Sequence, residues 1–189
     1  MSIFLEELRT NKSVFKLADN VIKVIGIDAE QYLHSQTTNN VKRLEDNKFQ
    51  FNAILDISGK LISSFVLIRV NSKHFYLVVP DPFIEDTIKR IEKFHIAEEF
   101  EVSIDTVNAY LRINSDHAEF EGSYFFESDE IFFSKRDEVT SSEEDFKKLR
   151  LVTGVSQLGF EINQGELINN TILESHAVDF NKGLSLIHI

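Results

Sequence analysis

The 189-residue chain contains no cysteine. Without a thiol it has no disulfide, no thiolate nucleophile and no cysteine-ligated zinc or iron–sulfur centre of its own. Basic residues are also scarce, 20 Lys and Arg against 31 Asp and Glu, for a formal charge of -11. Affinity for nucleic acid comes largely from Lys and Arg displacing the counterions of phosphate, so this balance argues against a direct nucleic-acid partner and leaves room only for a local basic pocket. No stretch approaches the roughly 20 apolar residues of a membrane helix. Glu6 and Glu7 fall where a secretory segment requires an apolar run. A cytoplasmic protein with no membrane partner is expected. No two of the six histidines stand at His-x-x-x-His spacing, so no dedicated metal site is expected.

What the chain does have is core. Hydrophobic residues make up 42% of it, with 17 phenylalanines, enough to bury a globular interior of one large or two small domains. After a short amphipathic N-terminal helix, Asn20 to Ile27 reads as a strand. Asp28 then reads as the cap of a helix over Ala29 to Gln36, with Gln31 reaching back in a capping-box variant. Strands over Phe49 to Leu55 and Lys60 to Val70 flank Asp56-Ile57-Ser58-Gly59, where the glycine supplies the positive φ of a bulged turn. A third strand, His74 to Val79, completes a meander. The only two prolines lie in Pro80-Asp81-Pro82, which reads as a helix start with Asp81 as cap and Ile84, Ile88 and Ile91 along one face. Strands over about 100–104, 107–113, 117–126 and 130–134 follow, then a helix capped by Ser141 or Ser142 that carries Phe146 and Leu149. Strands grouped in pairs and triplets with a few packing helices predict an α+β fold of mostly antiparallel sheets. There is no internal repeat, and no linker composition marks a domain boundary.

Five segments are similar, in order and in spacing, to one known family. They are Val24-Ile25-Gly26-Ile27-Asp28-Ala29 with Tyr32-Leu33 and Gln36-Thr37-Thr38-Asn39-Asn40-Val41; Leu55-Asp56-x-x-Gly59-Lys60-Leu61-Ile62; Tyr76-Leu77-Val78-Val79-Pro80; Arg90 to Phe94; and Arg150-Leu151, Gly154-Val155 and Leu173 leading to Val178-x-Phe180-x-Lys182-Gly183. Together they resemble the YgfZ-type folate-binding proteins, relatives of the glycine-cleavage aminomethyltransferase (the GcvT superfamily). The last segment resembles the approach to that family's Lys-Gly-Cys-Tyr-x-Gly-Gln-Glu signature, with Leu184 where the cysteine would stand. The peptide Leu184 to Ile189 is also what one reading frame of a common sequencing-library transposon end encodes. Residues 1–183 are therefore expected to be the larger part of a GcvT-like folate-binding module, undivided or of two interleaved lobes. Residues 184–189 are expected to be a non-native tail, with the C-terminal domain missing and folate binding weak.

The resemblance implies tetrahydrofolate as cofactor. It implies a role in iron–sulfur cluster assembly or repair, with iron–sulfur proteins or their assembly factors as partners. The alternatives it leaves are a folate-dependent aminomethyltransferase or demethylase, and the formyl-folate-binding module of a tRNA-modification GTPase. In the aminomethyltransferases an Asp-Asp pair stands where this chain has Ser63-Ser64. A serine hydroxyl is a weak base and brings no negative charge, so the reading leans away from an enzyme and assigns no catalytic residue. The family's prolines near Val155-Ser156 and Ile168-Asn169 are also missing.

The candidate cofactor-binding residues are Gln36, Thr37 and Asn39, whose amides and hydroxyl suit the donor and acceptor edge of a pterin. Lys182 and Gly183 join them on the resemblance alone: the lysine for the glutamate tail of a folate, the glycine for close backbone approach. His34, His74, His95, His117 and His176 read as surface or core-edge residues. Glu98-Glu99 with Glu101 and Glu143-Glu144-Asp145 read as solvated faces.

Overall fold

The computed structural model describes residues 3–113 and 130–182. The strand expected over 117–126 and the candidate Gly183 lie outside them. Among the described residues eight strands form two sheets, and every strand pairing is antiparallel. The larger contains β2 (Val21–Gly26), β3 (Lys48–Leu55), β4 (Leu61–Asn71), β5 (His74–Val78) and β6 (Phe100–Asp105) in the order β3-β4-β5-β2-β6. The smaller contains β1 (Val14–Ala18), β7 (Asn108–Arg112) and β8 (Glu130–Ser134) in the order β1-β7-β8. Helices α1 (Ile3–Thr10), α2 (Ala29–Gln36), α3 (Ile84–Lys93), α4 (Glu143–Thr153) and α5 (Leu173–Ala177) complete the fold, which is α+β. Among the described residues no helix is long and apolar enough to cross a membrane.

The period-two alternation of strands explains the layering. Ile22, Val24, Phe65, Leu67, Phe75 and Leu77 project from one face of the large sheet onto Tyr32 and Leu33 of α2 and Ile84 and Ile91 of α3. Their neighbours Val21, Val66 and Val78 project from the other face onto Ala18 and Ala109 of the small sheet. The pair α2 and α3, the large sheet and the small sheet therefore stack in three layers, while α1 and α4 pack against Phe15 and Leu111 of the small sheet. Each large apolar side chain buried in these seams contributes about 1.5–3 kcal/mol.

Most element boundaries fall within a residue or two of the expected ones, and α2 matches at both ends. Gly59 takes φ +78 at the hairpin, and the register shifts between Ile54 and Leu55, as a bulged turn requires. Three local readings are corrected. Asp28 makes no side-chain cap; its Oδ2 instead accepts from the Glu99 amide at 2.8 Å and ties the start of α2 to the run into β6. Asp81 does not cap α3 either, because its carboxylate accepts from the Asp19 amide at 3.1 Å. β1 lies in a segment the sequence did not mark as strand, and its edge is covered where the Val14 amide donates to Thr140 Oγ1 at 2.8 Å. At α4 the cap is Ser142, accepting from the Asp145 amide at 3.1 Å, and Gly154 ends the helix at φ +72.

Candidate functional site

The segments that follow α2 and α5 meet at the C-terminus of α2. The helix stops at Gln36 because Thr37 turns extended while its hydroxyl donates back to the Leu33 carbonyl at 2.7 Å. Thr38 then bridges two elements. Its Oγ1 accepts from the Ala53 amide of β3 at 2.9 Å and donates to the Ala177 carbonyl at the end of α5 at 2.5 Å. The Asn39 amide donates to Asn52 Oδ1 at 2.7 Å, and Asn39 Nδ2 to the Phe51 carbonyl at 2.9 Å.

The segment after α5 is fastened to this corner. The Asp179 amide donates to the Thr38 carbonyl at 3.1 Å. Asp179 Oδ2 accepts from Asn40 Nδ2 at 3.1 Å and Arg43 Nη1 at 3.5 Å. Lys182 is buried, and its Nζ donates to the carbonyls of Thr37 and, at 2.8 Å, Asn39. Burial pushes its amine down to about 8, although Asp179 pulls the other way. The Asn181 amide, then the Asn40 side chain, hold the Asp179 carboxyl below its ordinary value. Burial first, then the Lys182 and Lys42 charges, lower His34.

Of the expected residues, Thr37, Asn39 and Lys182 are brought together. Gln36 is turned toward α3, with its Oε1 accepting from Arg90 Nη1 at 3.3 Å. Thr37 offers no hydroxyl to a ligand, and Lys182 has already committed its amine.

Beside this corner is an open polar cleft of about 690 Å³, walled on one side by residues between Asn39 and Gln50 and on the other by residues between Ser175 and Asn181. Its size is that of a small-molecule site. Asn39, Asn40 and Gln50 bring amides to it, Arg43 and Lys48 bring charge, and Phe49 and Phe180 bring aromatic rings. Asn40 Oδ1 and Gln50 Nε2 are buried without a hydrogen-bond partner among the described residues. Arg43, Lys48, Phe49 and Gln50 were not foreseen. The one available signal was a polar Gln50 between Phe49 and Phe51 in a strand.

A second, apolar hollow of about 60 Å³ lies between β4, β5 and α4, bounded in part by Phe51, Ser64, Val78 and Phe146. The two serines part company here. Ser63 is fully buried toward α3, its Oγ 2.7 Å from Thr87 Oγ1, whereas Ser64 faces the hollow. Arg150 also borders the hollow, its charge met by Glu161 through Nε at 3.2 Å and Nη2 at 3.0 Å and flanked by the Phe146 and Phe160 rings at 4.8 Å.

No protein-family model matches the chain. An uncharacterized protein of Haemophilus influenzae is 32% identical over 76 residues, which are 40% of this chain and 27% of that protein. The crystal structure of the glycine cleavage system aminomethyltransferase T from Bartonella henselae is similar with a TM-score of 0.49 and 15% identity, over 57% of this chain and 31% of that one. The chain thus spans about a third or less of the length of these proteins.

Proposed function

We propose that the chain is the tetrahydrofolate-binding part of a YgfZ-type protein that assists iron–sulfur cluster assembly or repair, and that the polar cleft receives the pterin. One observation carries this reading. Two segments far apart in sequence and singled out by the same resemblance, Gln36 to Val41 and the run from Leu173 to Lys182, meet through the bond from the Asp179 amide to the Thr38 carbonyl at one edge of a cleft of about 690 Å³. The side-chain amides of Asn39, Asn40 and Gln50 along the cleft suit the alternating donors and acceptors of a pterin edge, and Phe49 and Phe180 bring aromatic rings to it. Gln36, Thr37 and Lys182 serve by holding the corner in shape, and Asn39 by lining the cleft. A methyltransferase is the weaker reading, because Ser64 lacks the charge that would assist a reacting amine.

Titration with tetrahydrofolate under reducing conditions, followed by nitrogen-15 shifts of the side-chain amides, tests the placement. Weak, saturable binding that moves the NH2 signals of Asn39, Asn40 and Gln50, and that drops at least tenfold in Gln50→Leu, is the expected result. Binding that leaves these signals in place, or no saturable binding into the millimolar range, overturns it.

A further inference from the structure

We infer that Lys182 is the positioning residue of the cleft: bonded to the carbonyls of Thr37 and Asn39, it pins the segment from Ser175 to Lys182 as the second wall and does not touch the ligand itself. This rests on the folate reading only for its ligand readout. The geometry is that of a pin. Lys182 is 8% exposed, and both acceptors are main-chain carbonyls, Thr37 just before the opposite wall and Asn39 at its start. The bonds from Thr38 Oγ1 to the Ala177 carbonyl and from the Asp179 amide to the Thr38 carbonyl lie alongside it, so loss of the pin frees one edge of a wall that carries Val178, Asp179, Phe180 and Asn181.

Two carbonyl acceptors match the two N–H groups of a neutral amine, and an ammonium can meet them as well. The contact therefore survives proton loss, but its strength changes. Docking buries the charge, so the docked amine binds its proton less tightly than the ordinary 10.5 of a free lysine, and the wall is held more firmly as pH rises above about 8. The other ionisable groups facing this corner are Glu30 and His34 on α2, Lys42 and Arg43 after it, and His176 and Asp179 on the pinned segment. His34 and His176 titrate below 6.5 and Asp179 below 3.8, outside this window.

Hydrogen exchange at the Thr38 and Asp179 amides tests the inference in the full chain, with Lys182→Met and Lys182→Arg as variants. At pH 9 the Met variant should lose at least tenfold protection at both amides while β4 and β5 amides keep theirs, because two buried carbonyls are left without donors. Between pH 7 and pH 9 the protection factor of Asp179 should rise in the natural chain and stay flat in both variants, since neither replacement can shed a proton there. A lysine equally solvated in the docked and undocked states would show no such profile, and the ligand readout separates positioning from a merely structural role. Unchanged exchange in the Met variant, or an equal pH response in all three chains, overturns the inference. Tetrahydrofolate affinity should fall at least tenfold in the Met variant; if the wall loosens and a measurable affinity does not change, Lys182 does not position this cleft. If the natural chain binds no tetrahydrofolate, the folate reading falls and the exchange data alone decide the pin.

Discussion

Ser63 and Ser64 are neighbours that face opposite sides of β4, and the difference sets what each position can carry. Ser63 is sealed against Thr87 under α3, whereas Ser64 borders a hollow. A carboxylate at 63 would be stripped of water with one hydroxyl for company; at 64 it has space to relax. Ser63→Asp should therefore cost about 3 kcal/mol or more and Ser64→Asp about 1–2 kcal/mol. Urea unfolding of the two variants measures this, and equal losses would contradict the assignment of faces. At this scale the sequence pointed to Thr37, Asn39 and Lys182, but the bonds from Lys182 to the carbonyls of Thr37 and Asn39 were not legible in it, because every residue has a main-chain carbonyl and no motif announces one.

Elements were more legible than roles. The β3–β4–β5 meander and α2 follow from alternation, from Gly59 and from the polar turn after β4, all local signals. The misreadings involve contacts between elements. Asp28 and Asp81 look like caps because a short acid before a helix commonly is one, yet both spend their oxygens on amides distant in sequence, Glu99 and Asp19. β1 is five residues long and owes its strand state to β7. Gly26 shows what the chain does not announce locally: a Cβ there would stand 2.2 Å from the Glu99 carbonyl oxygen and 2.2 Å from Phe100 Cα. Main chain cannot yield cheaply, so Gly26→Ala should destabilise the protein by about 3 kcal/mol or more by prising β6 from β2. Calorimetric melting gives the answer, and a near-neutral effect would mean that β6 is not so closely placed.

For the molecule as a whole, burial lowers three histidines together, His34, His74 and His176, and so sets a pH response. For a base whose folded pKa is depressed, the unfolded chain takes up protons first as pH falls below 6.5, so stability declines from there down through the folded values. The acids add to the fall at lower pH. Burial raises Glu161, but the hydrogen bonds from Arg150 and the Gln157 amide outweigh it and leave it below 4.5, and Asp179 is likewise held down. Their stabilisation is present above the unfolded pKa and is lost as pH falls through the folded one. Melting temperature should drop between pH 7 and pH 5 and drop further below pH 4.5; a flat profile over the first interval would show those histidines open to water.

The hydroxyl of Thr38, shared between β3 and the end of α5, closes a span of 139 residues. Closing so long a loop carries an entropic cost that only nearly complete packing can offset, so this contact belongs late in the folding order. A ribosome-bound chain can finish its meander while the far wall is still unsynthesised, and the corner at Thr38 closes only after Ala177 has emerged.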